Sequence, residues 1–434
     1  MRPYFAILAI ILSSGIPRMN AQEPLKISGE LRMRGEARNN ADFNSERLDG
    51  TVQVFNRLRL GFLQNLDDGL LIFVQLQDSR IWGEEGSSLT PLNKIDLHQA
   101  YLQIDRPAEL PFTILVGRQK LAFGSERLLG NFEWDNVSRS FDALKVRVGS
   151  EDQSLDFWLA QVRDHTAPTV ARNQELGGVF FSSQRLLPTA VESYLLILYD
   201  ARNFESVANP APPGQQDEPS KTLALYTIGA RCNGQIGQRW HYDLEGAYQT
   251  GSRGFRDISA YGLALYADYA LAKPWSPAIH AGYILGSGDR NPRDGKSETF
   301  ANLFPDAHRY LGAMDYASWS NISAGYLGFS ISPREKFSLG ADWHRLSLAK
   351  ANDAWYRAGG FNIGTPPEFY RKAVPAAGRQ LGHEIDLYLS YLYRQRVNLT
   401  AGLSNFFAGK FIKTTGGLRA DDSIWAYLAV TAKF

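Results

Sequence analysis

SIWAYLAVTAKF, residues Ser423–Phe434, closes the chain. Successive side chains of an extended strand point to opposite sides. Ile424, Ala426, Leu428, Val430, Ala432 and Phe434 therefore share one face, and that face is apolar to the last residue. The end of a soluble domain is usually frayed and polar. A strand that stays apolar up to a terminal aromatic ring does not fit that habit.

The same period-two alternation recurs upstream. Leu25, Ile27, Gly29, Leu31 and Met33 oppose Lys26, Ser28, Glu30, Arg32 and Arg34. Val52, Val54, Leu58, Leu60 and Phe62 oppose Gln53, Arg57 and Arg59. Trp240, Tyr242, Leu244 and Tyr248 oppose His241, Asp243 and Glu245, and Ile385, Leu387 and Leu389 oppose Glu384 and Asp386. One apolar and one wet face per strand suits either a soluble sandwich or a transmembrane barrel. Length separates them. Many segments run ten residues or more, the span of a tilted membrane strand, whereas soluble strands are about half that.

About eighteen strands can be read, an even number as single-chain barrels require. They start near residues 25, 51, 69, 94, 111, 139, 153, 173, 189, 220, 238, 256, 275, 317, 335, 381, 396 and 422. The connections alternate. Short ones fall at Asn65, Gly149, Ala272, Ser332 and Arg394. Long ones cover Asn39–Gly50, Leu121–Ser138, Arg202–Pro219, Gly286–Tyr316 and Leu348–Gln380. Short periplasmic turns and long extracellular loops are the asymmetry of an outer-membrane barrel. The expected fold is thus all-β, a transmembrane antiparallel barrel in the bacterial outer membrane, with outer-membrane lipid around it. The closing strand resembles the assembly signal of such barrels.

The N-terminus agrees. MRPYFAILAIILSSGIPRMNAQEP has a basic start, an apolar stretch and small residues before Ala21. This reads as a secretory signal peptide over 1–21, leaving 22–434 as a single barrel domain. Hydrophobic residues make up 44% of the 434 and the mean hydropathy is -0.27. After the leader no run of about 20 apolar residues offers a spanning helix. The 20 Tyr, 24 Phe, 9 Trp and 39 Gly suit a membrane barrel.

Sequence motifs for chemistry are absent. Cys232 is the only cysteine, so no internal disulfide, paired-cysteine zinc site or redox pair can form. None of the 7 histidines lies four residues from another. FGSERLLG lacks the spacing of a nucleophile elbow, and no phosphate-binding glycine loop occurs. No enzyme, metal or other cofactor is expected, and no nucleic-acid partner.

The charges are placed rather than abundant; formal net charge is +1. Acids crowd the connections, as at Asp42, Asp67, Glu84, Glu126, Glu133 and Asp135. Bases sit inside strands, opposite the apolar face: Arg32, Arg34, Arg57, Arg59, Lys145 and Arg147, with Arg118 and Lys120 as further candidates. On the lipid face at mid-depth each would cost about 2–4 kcal/mol. Placed in the lumen, a basic ring selects anions. The plainer reading is a mixed wall, each Arg satisfied by a carboxylate such as Glu30 or Asp96.

A resemblance adds to this. RLRLGF (Arg57–Phe62), QDSRIWG (Gln77–Gly83), DLHQAYL (Asp96–Leu102), GRQKLAFGSERLLG (Gly117–Gly130) and RSFDALKV (Arg139–Val146) resemble, in order and spacing, the alginate export family of outer-membrane porins. The similarity is strong over about residues 25–150 and only barrel patterning persists beyond. It implies an eighteen-stranded monomeric barrel with an arginine-rich, electropositive lumen. The best-known member passes the polyuronate alginate out of the cell.

The stretch LAFGSERLLGNFEWDN after Gln119 is expected to fold inward and narrow the channel, with Arg127 and Trp134 packed on the inner wall. The expected function is a passive channel with a basic lumen, lined by Arg32, Arg34, Arg57, Arg59, Arg118, Arg127, Lys145 and Arg147. It would pass anionic polysaccharide or other anionic or sugar-like solutes, with export or uptake partners in the periplasm. The alternatives are a non-specific diffusion porin and a surface-adhesion or structural barrel with a closed lumen.

Overall fold

A computed structural model of the chain describes residues 24–46, 49–87, 94–163, 174–185, 189–200, 222–271, 274–359, 369–416 and 419–434. The leader and the Arg202–Pro219 connection lie outside them. Among the described residues, eighteen wall strands form one antiparallel barrel. They are β1 (Lys26–Asn39), β2 (Thr51–Asp67), β3 (Leu70–Ile81), β4 (Ile95–Asp105), β5 (Phe112–Gln119), β6 (Phe141–Gly149), β7 (Gln153–Arg163), β8 (Gln174–Ser183) and β9 (Thr189–Asp200). The other half is β10 (Leu223–Ile236), β11 (Trp240–Arg253), β12 (Arg256–Ala270), β13 (Ala278–Gly286), β14 (Ile322–Arg334), β15 (Phe337–Leu348), β16 (Gln380–Tyr393), β17 (Val397–Ala408) and β18 (Ser423–Lys433). Each start lies within five residues of the one read from alternation.

Each strand pairs with its sequence neighbours, and β1 closes the ring on β18, from Glu30 opposite Lys433 to Asn39 opposite Ile424. Closure leaves no sheet edge to be satisfied by water, which lipid cannot supply. Beyond Lys433, Gly29 and Phe434 exchange backbone bonds of 2.7 and 3.0 Å.

The wall inverts the burial of a soluble sheet. In β7, Leu159 is 61% exposed on the outer face, while Ala160 is 1% exposed within. Lipid is the outer solvent, so large apolar groups face out and the inner face takes polar groups and close packing. Exposed aromatics form two levels. Trp240, Trp275 and Tyr393 lie near the short-turn end, and Tyr248 and Tyr261 pair across β11 and β12 toward the long-loop end. Connections alternate as expected with one departure: β11 and β12 are joined at the long-loop end by residues 254–255 alone.

The dry core lies inside the barrel. Connections after β5, β13, β15 and β17 turn inward and bury Leu129, Phe304, Met314, Trp355, Phe411 and Ile412 against small and aliphatic inner-wall side chains such as Ala260, Ala264 and Leu198. These loops are apolar enough to pack with one another, and the wide barrel gives them a surface to cover.

Candidate functional site

The site is the waist where two inward loops meet a basic stretch of wall. The first loop, residues 120–140, leaves β5, turns with Gly124, Glu126 and Phe132 at positive φ, and returns to β6. Glycine accepts that backbone freely at Gly124. The second loop, residues 287–321, joins β13 to β14. The two dock as a short ladder: Gly130 N–H donates to Phe304 O and Phe304 N–H to Leu128 O, both at 2.8 Å. Arg139 seals the junction by donating to Gly130 O at 2.6 Å and Phe304 O at 2.7 Å.

Arg32, Arg34, Arg57 and Arg59 project inward from β1 and β2 and are 2–7% exposed. Arg32 lies directly opposite Arg57 in the register. Like charges so paired repel, and the first loop compensates them. Arg32 donates to Glu133 O at 2.7 Å and Asp135 O at 2.9 Å, and Arg34 donates to Trp134 O. Arg57 reaches the same two carbonyls, Glu133 O and Asp135 O, at 3.2 and 3.1 Å. Arg59 donates to the Glu133 carboxylate at 2.7 Å and to Val137 O at 3.1 Å. Glu30 pairs with Arg57 at 2.7 Å and Glu36 with Arg34 at 2.6 Å. Lys120 also binds Glu133. Burial raises the Glu133 carboxyl, but Arg59, Lys120 and Arg57 outweigh that and bring it down to about 2.

The remaining expected residues scatter. Arg127 reaches the far wall, pairing with Glu245 at 2.8 Å and Asp243 at 3.3 Å on β11. Its guanidinium lies 4.3 Å from the ring of Tyr310 and 4.9 Å from that of Tyr266. Lys145 and Arg147 face inward on β6, and Arg147 holds Asp156 at 2.7 Å. Arg118 does not line the lumen. It has the parity of Val116 and sits opposite Asp142, which shares a face with lipid-exposed Leu144. There it lies 3.5 Å from Asp142 and 3.9 Å from Asp96. The apolar run Ile114, Val116 fixes that parity.

Glu133, Trp134 and His308 complete the waist. Trp134 lies 4.0 Å over the Arg34 guanidinium and stacks on His308 of the second loop. Asp306, in that loop, is pushed up to about 6 by burial, with Glu126 beside it. Spacing rules could not find these contacts, since their partners stand about a hundred residues apart or more. The one signal was the excess of charge and aromatic residues in the first loop.

Below the waist, toward the short-turn end, a chamber of about 1210 Å³ is lined by Arg32, Arg57, Arg59, Lys120, Arg396 and Lys433, among others. Its Lys and Arg side chains outnumber its Asp and Glu side chains eight to three. Among the described residues no cluster of His, Cys, Asp and Glu is arranged to hold a metal ion.

The alginate export family matches residues 23–426. Solved structures share the fold. OccK11 (OpdR) of Pseudomonas aeruginosa is 14% identical at a TM-score of 0.59, over 94% of this chain and 96% of that one. OccK8 (OprE) of the same organism is 11% identical at 0.58, over 95% and 98%. OccAB4 of Acinetobacter baumannii is 12% identical at 0.56, over 95% and 99%. No curated protein matches the sequence.

Proposed function

We propose that this chain, which belongs to the alginate export family and is an outer-membrane channel, works as a monomer and prefers anionic solutes of saccharide type. The observation that carries this reading is the chamber, where bases outnumber acids eight to three inside low-dielectric walls. Such walls focus the field and raise the local concentration of anions. Arginine adds planar, bidentate binding of carboxylates, so a uronate chain suits the surface better than a simple halide does. Four of the arginines already hold loop carbonyls. Those carbonyls are neutral and leave the charge in place; Glu36, Glu30 and Glu133 offset part of it at Arg34, Arg57 and Arg59, and the surplus acts on the chamber.

The test is the reversal potential of single channels in a salt gradient. Wild type should be anion-preferring at low salt. Arg396→Glu with Lys433→Glu should move the reversal potential toward cations, because both side chains line the chamber and neither forms the waist. Arg118→Glu, on the outer face, should not. An ohmic channel without anion preference would indicate a diffusion porin, and no conductance at all would indicate a structural barrel. A trimer by mass in mild detergent would overturn the monomer.

A further inference from the structure

A second pocket of about 270 Å³ lies between residues 308–313 of the second loop and strands β12, β14, β15, β16, β17 and β18. Its chemistry is the reverse of the chamber's. Asp268, Asp342 and Asp386 line it together with tyrosine rings, Tyr326 and Tyr388 among them. Among the described residues none of the three aspartates pairs with Lys or Arg. Asp268 meets His280 at 2.7 Å and His241 at 3.0 Å, and Asp342 accepts from the Tyr326 hydroxyl at 3.2 Å. The cation that also lines the pocket, Arg309, is held by Glu126 at 3.2 Å.

Asp386 is the informative group. It is 4% exposed, yet its Oδ1 has no hydrogen-bond partner. Oδ2 receives only a long bond from Ala313 N at 3.4 Å, with His344 Nε2 at 3.6 Å. Its side-chain neighbour on the same inner face is another buried acid, Glu384, which hydrogen-bonds to it when one of the two carries a proton. Two adjacent buried acids with no Lys or Arg paired to them among the described residues are costly, and a native wall seldom retains them without use. The tyrosines are seated to leave the space open. Tyr388 lies flat over Gly340 of the adjacent strand, where any Cβ would strike the ring.

We propose that this pocket is a binding subsite for an organic cation, an ammonium or guanidinium group carried by the solute. Among the described residues no Lys or Arg pairs with Asp342 or Asp386, and such a group brings several donors, no acceptors and a positive charge. Its charge is favoured over the faces of the tyrosine rings. A neutral sugar could stack on the rings but would leave the acids unneutralised. A metal ion is disfavoured because, among the described residues, no cluster is built to ligate one. The volume, that of roughly nine waters at about 30 Å³ each, admits such a group with room for solvent.

The test uses the full chain in detergent micelles and isothermal titration with ethylguanidinium, against N-ethylurea as the uncharged group of like shape. Ethylguanidinium should bind at least about tenfold more tightly than N-ethylurea. Asp342→Asn should remove about tenfold of that affinity, and Tyr326→Leu should weaken it too. Heat-modifiable migration on gels checks that both variants remain folded barrels. Equal binding of the two probes, no binding of ethylguanidinium at about 50 mM, or wild-type affinity in a folded Asp342→Asn variant would overturn the assignment. The titration reads no current, so its failure is separate from a failure of the anion-preference measurement.

Discussion

Trp134 lies on His308 with ring centroids 3.9 Å apart and planes 10° from parallel. The two residues come from different loops, and this contact ties the loops together above the chamber. On its other side Trp134 covers Arg34 of the wall. The waist is therefore a stack of guanidinium, indole and imidazole running from the wall to the second loop.

Trp134→Ala should release that stack. The loss of one aromatic pair and one cation–π contact, with the burial of the indole, amounts to roughly 2–4 kcal/mol of loop docking. Faster amide exchange across residues 131–138 and noisier single-channel current are the expected readouts. Unchanged exchange would mean that the arginine bonds to the loop carbonyls suffice.

Acid should loosen the same loop through Glu133. Its carboxyl, ordinarily near 4.5, is held at about 2 in the docked state. A depressed value means that the docked state favours the charged form. The stabilisation is fully present above about 4.5 and is lost as pH falls toward 2. Glu133→Gln should give at neutral pH the open-channel noise that wild type shows only in that acid window.

Asp306 has the opposite sign. Burial raises it from 3.8 to about 6, so docking carries a charged, poorly solvated carboxylate above pH 6 and a neutral one below about 4. Docking should weaken as pH rises between those values, by roughly 2–3 kcal/mol at most. Asp306→Asn should abolish that trend and slow amide exchange in residues 126–130 at pH 7. If the variant exchanged as wild type did, the carboxylate would have to be solvated or paired in the docked state.

At the seam of the barrel, the Phe434 ring covers Gly29 so closely that a Cβ on Gly29 would strike it. Deleting Phe434, or replacing Gly29 by Leu, should lower the yield of heat-resistant barrel in the outer membrane. Normal insertion of both variants would remove the ring from the assembly step.

Alternation along single segments was enough to place the start of all eighteen strands within five residues. It told inner from outer face on β1, β2, β6, β11, β16 and β18, but not on β5, where Arg118 was expected inside. Side-chain direction repeats every two residues, and the outer solvent is apolar over the whole span. Loop asymmetry and the closing aromatic strand were legible for the same local reason. The inward basic face of β1 and β2 followed from parity, and parity also turns Arg118 outward through Val116 once the strand is seen to continue to Gln119. The tertiary structure alone decided what the arginines touch. Arg32 meets Glu133 across 101 residues and Arg127 meets Glu245 across 118. The acidic pocket is likewise assembled from six strands and a loop. A closed barrel brings residues together by circumference and height. Those distances depend on the register of every intervening strand pair, so no spacing within one segment carries them.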